Sequence, residues 1–306
     1  MRNLRITHRT RYRYDRPVEF GPHRLLIRPR DAHDMRILDS RLAVSPPAEV
    51  SWHFDTFGNS VALLSFHHAA EELFIGSELV LRRYVFDEPE LQIEEHASTY
   101  PFRYDPDDSI DLSPFLFVQV AQDRPAIEHW IRTVMPVLPE RTMQLLHQLS
   151  GAIHAELDYQ RREEHGVQTP AQTLEAGSGT CRDYAFLFME AVRTLGFAAR
   201  FVTGYLYDAA AEGGESQLVG GGATHAWAEI FVPGAGWVEF DPTNQIVRGR
   251  DLVRVATTRT PDQALPVSGY YRGPAEAFVS MDVEVSVTRT DDEPGEERSV
   301  VQVGVA

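Results

Sequence analysis

Gly177-Ser178-Gly179-Thr180-Cys181-Arg182-Asp183-Tyr184-Ala185 contains the only cysteine of the chain and leads into a helical pattern of apolar residues. That pattern predicts a helix over 180–195, with Gly196 as its C-cap. Cys181 then lies in the first turn, where unpaired N–H groups and the helix dipole favour the nucleophilic thiolate. The glycines leave room for a substrate backbone, and a second N–H near Cys181 could stabilise an oxyanion. A lone cysteine is also commonly a small buried apolar residue, so its partners decide its chemistry.

Two candidate partners stand on predicted neighbouring strands. His225 begins a strand, Asp241 ends the next one, and Pro233-Gly234-Ala235-Gly236 joins the strands as a hairpin. If residue 227 lies opposite 241, His225 and Asp241 are diagonal neighbours on one face, about 7–8 Å apart at Cα. A register shifted by one residue would turn Asp241 to the other face. In the first register His225 can take the thiol proton while Asp241 orients the ring, although either residue alone is more often structural.

The rest of the chain divides by pattern into four regions. Residues 1–100 alternate apolar and polar positions in short runs, which predicts an N-terminal all-β, sandwich-like domain in which Pro17 marks a turn. Residues 101–140 are rich in proline and indicate a connecting segment with one short helix near 126–134. Residues 141–250 predict a core with helices packed on an antiparallel sheet, and 251–306 predict C-terminal strands that complete the fold. The fold class is therefore α+β.

Two polar segments and the histidines bear on metals and loops. Asp105-Pro106-Asp107-Asp108 could hold calcium, but it lacks the spaced carboxylates and glycine of a binding loop, which favours a solvated turn. The histidines form no His-Glu-x-x-His motif, so no metal is expected. The glycine-rich segment 209–223 predicts a loop before the strand of His225, and the acidic segment 291–297 predicts a hairpin tip.

Composition restricts the partners and the compartment. The 306 residues carry a net charge of −16, which argues against nucleic acid and anionic membranes as main partners. No apolar run approaches the roughly 18 residues of a membrane span, and the arginine-rich start predicts no secretory signal. The single cysteine excludes an intramolecular disulfide, so we expect a reducing cytoplasm. The oligomeric state has no signal in the sequence.

Several blocks resemble a known family when they are taken together and in order. Gly179 to Ala185, Gly196 to Tyr205, His225 to Glu229, and Gly236-Trp237 with Asp241-Pro242-Thr243 are similar to the transglutaminase-like core, which has a papain-like Cys-His-Asp triad. The first domain is similar to the N-terminal β domain of bacterial transglutaminase-like proteins. The residues that carry this similarity are His8, Thr10, Tyr12, Tyr14, Pro17, Arg28-Pro29-Arg30 and 55–59. The resemblance implies a triad of Cys181, His225 and Asp241, with no cofactor.

The resemblance implies acyl transfer through a thioester at Cys181 on a peptide or protein substrate. Attack by water would make the protein a cysteine peptidase or amidase, which we favour, and attack by an amine would make it a protein-glutamine transglutaminase. A non-catalytic peptide-binding module is the alternative from another class, although all three triad positions are filled. Gly179, Thr180, Tyr205 and Trp227 are candidate substrate-binding residues, and the two aromatic residues are equally compatible with a buried core.

Overall fold

Two β-sheets stack in the N-terminal domain. The computed structural model describes residues 1–84, 90–160, 166–210, 218, 223–290 and 300–303. The N-terminal strands are β1 (Arg2–Phe20), β2 (His23–Leu25), β3 (Met35–Ser45), β4 (Ala48–Phe54), β5 (Ser60–Phe66) and β6 (Ala70–Arg83). The sheet that contains β1, β6 and β3 packs on the sheet that contains β2, β5 and β4. Apolar residues of both sheets, among them Val18, Leu42 and Leu64, share one buried cluster, which confirms the sandwich-like prediction.

The long first strand follows the alternation of its sequence. Leu4, Ile6 and His8 are buried on one face, as a period of two requires. The strand runs on past Pro17, where we predicted a turn, because its pairing with β6 is interrupted between Arg13 and Val18. A proline in such an irregularity removes no hydrogen bond from the ladder.

Six helices surround the sheet of the second domain. They are α1 (Pro106–Asp111), α2 (Ser113–Leu116), α3 (Arg124–Val134), α4 (Thr142–Glu156), α5 (Pro170–Ala176) and α6 (Cys181–Thr194). The core strands are β7 (Asp158–Tyr159), β8 (Ser178–Gly179), β9 (Ala199–Leu206), β10 (His225–Val232), β11 (Gly236–Asp241), β12 (Ile246–Val247) and β13 (Leu252–Thr258). Five of them form a sheet in the order β12-β11-β10-β9-β13. Helix α6 packs on this antiparallel sheet, so the α+β class is confirmed.

The proline-rich segment 101–140 has more structure than the single short helix that we predicted. It contains α1, α2 and α3, and Ile127 and Ile131 of α3 lie in the same apolar cluster as α6. The fully buried Glu190 of α6 accepts hydrogen bonds from the backbone N–H groups of Gln119 (2.6 Å) and Val120 (3.1 Å). The segment is therefore packed onto the core as well as connecting the domains.

The acidic cluster near residue 105 is explained by the start of α1. Asp105 is the N-cap, and Asp107 and Asp108 occupy the first turn, where negative charge complements the helix dipole. No group of three or more potential metal ligands occurs among the described residues. None of the helices in the described part of the chain has the length and apolar character needed to span a bilayer.

The end of the chain returns to the first domain. The strands there are β14 (Val267–Ser268), β15 (Tyr271–Arg272), β16 (Phe278–Arg289) and β17 (Val300–Val303). β16 and β15 pair with β1, β14 pairs with β2, and β17 pairs with β3. The predicted hairpin tip 291–297 and most of the glycine-rich segment 209–223 lie outside the described residues. The C-terminal strands thus complete both sheets of the sandwich.

Candidate active site

Cys181 is the first residue of α6, and a capping box fixes that position. Thr180 is the N-cap, and its hydroxyl accepts a hydrogen bond from the backbone N–H of Asp183 at 3.4 Å. The Asp183 carboxylate accepts in turn from the Thr180 backbone N–H and hydroxyl (2.8 Å each) and from the Gln168 backbone N–H (2.7 Å). Such a box satisfies the free N–H groups of a helix start and holds it rigidly. Cys181 is 6% exposed, so most of its thiol is shielded from solvent.

Gly179 and Thr180 therefore have structural reasons for their identity. A Cβ at Gly179 would lie 2.9 Å from the Cβ of Asp183, which leaves no room for a side chain. Gly179 also pairs with Tyr159 in the short β7–β8 ladder just before the helix. A substrate contact at either residue stays a prediction.

The hairpin between β10 and β11 has the register that the triad requires. Ala228 lies opposite Phe240, and one step further along this ladder Trp227 lies opposite Asp241. His225 and Asp241 are then diagonal neighbours on one face, and His225 Nε2 lies 2.7 Å from Asp241 Oδ2. Both side chains are fully buried. The expected convergence of imidazole and carboxylate is present.

Burial and charge act in opposite directions on this pair. Burial alone lowers the pKa of His225, but the Asp241 carboxylate and the neighbouring Cys181 thiol more than offset it and raise the pKa to about 10. Burial raises the pKa of Asp241, but His225 and the hydrogen bonds from Asn244 and Thr243 outweigh it and hold that pKa below its ordinary value. The imidazole is therefore protonated at neutral pH, between the carboxylate and the sulfur.

Cys181 is a neighbour of the His225 ring. Cys181 lies near enough to His225 for its thiol to act as a hydrogen-bonding partner that raises the pKa of the ring. Nδ1, the second ring nitrogen of His225, has no hydrogen-bond partner in the part of the chain that the structure describes. Cys181, His225 and Asp241 follow one another in the order that a cysteine nucleophile needs.

Asn244 is a further residue of the site, and the sequence reasoning missed it. Its side-chain amide donates to Asp241 Oδ2 at 2.9 Å and lies 3.5 Å from His225 Nε2. The backbone N–H of Thr243 donates to the other carboxylate oxygen, also at 2.9 Å. The signal was the turn Asp241-Pro242-Thr243-Asn244, since an Asp carboxylate commonly binds the N–H two residues further on. These donors fix the carboxylate beneath the imidazole.

The two aromatic candidates have different positions. Trp227 lies on the same face of β10 as His225, and their rings stack with centroids 6.1 Å apart. It is fully buried, so it supports the imidazole from behind. Gly204 lies opposite His225, so Tyr205 points to the other face of the sheet. There its hydroxyl meets His8 Nδ1 at 3.0 Å and the Ile27 carbonyl at 3.3 Å, which corrects the expectation that Tyr205 lines the substrate site.

Comparisons with known proteins agree with this geometry. The family described as the bacterial transglutaminase-like N-terminal region matches residues 4–82, and the family described as the transglutaminase-like superfamily matches residues 134–242. An uncharacterized protein of Mycobacterium tuberculosis is 30% identical over 283 residues, which is 83% of this chain and 86% of that protein. The chain belongs to the transglutaminase-like superfamily. All three residues of the Cys-His-Asp arrangement lie within the matched core of this transglutaminase-like protein.

Two further proteins resemble parts or all of the transglutaminase-like chain. A protein-glutamine gamma-glutamyltransferase of Pseudomonas aeruginosa is 37% identical over 77 residues, but this covers 25% of the chain and 12% of that protein. The crystal structure of a candidate cysteine protease from Cytophaga hutchinsonii has a TM-score of 0.69 at 21% identity, and it covers 96% of this chain and 93% of that one. The second likeness shows that the whole two-domain fold is shared.

Proposed function

We propose that the protein is a cysteine enzyme that hydrolyses a peptide or amide bond through a thioester at Cys181. The observation that carries this proposal is the convergence of the thiol, a protonated imidazole and a fixed carboxylate at the tip of α6. A single buried thiol without such partners would be inert. The substrate is a peptide or protein, and a reducing cytoplasm remains our prediction for the compartment.

The arrangement supports acyl transfer in two steps. In the first, the sulfur bonds to the carbonyl carbon, the C–N bond breaks, and the amine leaves with the proton held by His225. In the second, water gives a proton to His225 as its oxygen bonds to the same carbon, and the C–S bond breaks to release the acid. Asp241 stabilises the imidazolium that is present before the first step and forms again in the second.

The start of the helix provides the electrostatic part of the mechanism. The backbone N–H of Cys181, as the first residue of α6, has no acceptor within the helix and can donate to the oxyanion of the tetrahedral intermediate. The capping box keeps this N–H in place before the substrate binds. One such donor contributes about 3–4 kcal/mol in other acyl-transfer enzymes.

Amine transfer is the second candidate because 77 residues match a protein-glutamine gamma-glutamyltransferase at 37% identity. The first step is common to both reactions, and access of water to the thioester separates them. A non-catalytic peptide-binding module is the third candidate, and the intact triad weighs against it. The similar structure named a candidate cysteine protease favours hydrolysis as the first choice.

One experiment separates the three candidates. A pool of glutamine-containing peptides is incubated with the protein, with and without a primary amine, and ammonia, cleaved peptides and amine adducts are measured by mass spectrometry. We expect cleavage or ammonia release that disappears in Cys181→Ala and His225→Ala and persists in His129→Ala, an exposed histidine of α3. Amine adducts would assign transfer instead. No product, together with slow alkylation of Cys181, would leave only the binding module.

A further inference from the structure

A second cavity lies between the two domains, away from the triad. This interdomain cleft has a volume of about 790 Å³. The first domain contributes residues 30–35, 57–59 and 83–84, and the core contributes Arg200, 237–239, 248–250, Leu252 and 254–257. Its lining contains none of Cys181, His225 and Asp241. The interdomain cleft is therefore a separate site.

The lining of the interdomain cleft is basic although the chain is acidic. Two aspartates and one glutamate, Asp31, Asp34 and Glu239, face it. They are outnumbered by arginines, which are Arg30, Arg83, Arg200, Arg248, Arg250 and Arg254. The protein has a net charge of −16, so most of its surface repels anions. The six arginines give this one cavity a positive charge instead.

Three of the guanidinium groups are held in fixed positions. Arg200 stacks on the ring of Trp237 at 4.1 Å and contacts the fully buried Glu229 at 2.5 Å, while Arg254 contacts the other oxygen of Glu229 at 3.0 Å. Arg83 contacts Asp34 at 2.5 Å across the floor. A guanidinium has five N–H donors, so one ion pair orients the group and leaves donors for a ligand. Such preorganisation lowers the entropy cost of binding.

Glu239 adds a different kind of donor. It lies directly opposite Glu229 in the β10–β11 ladder, so two carboxyl groups share one partly buried place. Burial, and then the negative charge of Glu229, raise the pKa of Glu239 to about 8. Its carboxyl is therefore mostly protonated at neutral pH and can donate a hydrogen bond to an anion. The charged groups that face it are Glu229 of β10, Arg200 of β9, Arg254 of β13, Arg83 of β6 and Asp34 of the loop before β3.

We propose that the interdomain cleft binds a compact ligand that carries two or more carboxylate or phosphate groups, with the guanidinium groups of the arginines as donors. The volume is that of a small-molecule site. Bidentate guanidinium donors match the geometry of both oxyanions. The stacked Arg200 covers the face of Trp237, so recognition depends on charge and hydrogen bonds and not on aromatic stacking.

Calorimetric titration of the full chain with two probes tests this proposal. Tricarballylate represents carboxylates and pyrophosphate represents phosphates, and acetate at equal ionic strength is the monovalent control. We expect at least one probe to bind about tenfold or more tightly than acetate, and the tighter probe identifies the ligand source. Cys181→Ala should bind equally well, because the triad takes no part. Equal, weak heats for all three anions would overturn the proposal.

Matched variants locate the binding. Arg248→Gln and Arg30→Gln, from opposite walls of the interdomain cleft, should each weaken binding about fivefold. Arg132→Gln, on the exposed face of α3, removes the same charge and should change the binding affinity less than about twofold. Binding of tricarballylate should weaken between about pH 7 and pH 9 as Glu239 ionises, and Glu239→Gln should abolish that dependence. An equal loss of affinity in Arg248→Gln, Arg30→Gln and Arg132→Gln would overturn the proposal. A pH dependence of binding in Glu239→Gln that equals that of the wild type would also overturn it.

Discussion

Asp241→Asn keeps the shape of the site and removes one charge. The carboxylate lies 2.7 Å from His225 Nε2, and both side chains are fully buried, so no water screens their attraction. The amide oxygen of asparagine can still accept the backbone N–H of Thr243, which preserves the turn. We therefore expect a folded protein with an altered imidazole.

The size of the effect follows from the titration of the ring. Raising the pKa of His225 from 6.5 to about 10 corresponds to about 5 kcal/mol in favour of the imidazolium. Without the carboxylate, burial dominates and the pKa of His225 falls below 6.5, so the ring is neutral at pH 7. The Cys181 sulfur then has no positive charge beside it and is a weaker nucleophile. Turnover should fall by about 10³–10⁴-fold.

Alkylation reads this change without knowledge of the substrate, because the chain has one cysteine. Iodoacetamide is added at about pH 6 and the adduct is followed by intact mass, with an expected rate loss of about 100-fold in Asp241→Asn. Asp111→Asn, in exposed α1, is the matched control. The wild type should also lose stability as the pH rises from 6.5 to about 10, since only its folded state holds the His225 proton there. Equal alkylation rates at pH 6 in a folded variant would refute the reasoning.

Two further predictions concern stability. A Cβ at Gly204 would lie 2.2 Å from the Val253 carbonyl oxygen and 2.7 Å from the ring of Trp227, so Gly204→Ala should lower the free energy of unfolding by about 1–3 kcal/mol in thermal unfolding. Gly151 lies in a helix with open space around it, so Gly151→Ala should raise the free energy of unfolding by about 0.5–1 kcal/mol. Equal effects of the two substitutions would contradict this. Burial lowers the pKa of His8 to about 4, so between pH 6.5 and 4 His8 takes up a proton only in the unfolded state. Lowering the pH through this range should therefore reduce the free energy of unfolding by about 3 kcal/mol, and His8→Gln should not show this loss. Urea unfolding at both pH values measures this, and parallel losses would argue against it.

The pairing of His225 with Asp241 could be predicted because its geometry is local. The Gly-x-Gly-Thr start places Cys181 at a helix tip, and the short turn 233–236 fixes the hairpin register that brings His225 and Asp241 together. The position of Tyr205 depends instead on the register between β9 and β10, which a long glycine-rich loop segment does not fix as a short turn would. A one-residue difference in that register decides which face an aromatic side chain occupies.

The structure of the segment 101–140 was missed because its prolines were interpreted as chain breaks. Pro106, Pro114 and Pro125 each stand in the first turn of a helix, where a missing N–H costs nothing and the fixed φ favours helix entry. The interdomain cleft has no sequence signal at all. Arg83, Arg200 and Arg254 are brought together only by tertiary packing, and spacing along the chain does not encode it.

The pairing of β1 with β16 sets an order of events during biosynthesis. Leu4 lies opposite Arg289, so the outer edge of β1 is uncovered until β16 has been synthesised. Until translation reaches that point, a long strand with an open row of N–H and C=O groups can recruit other nascent chains. A chain that ends before residue 278 is therefore expected to aggregate instead of folding.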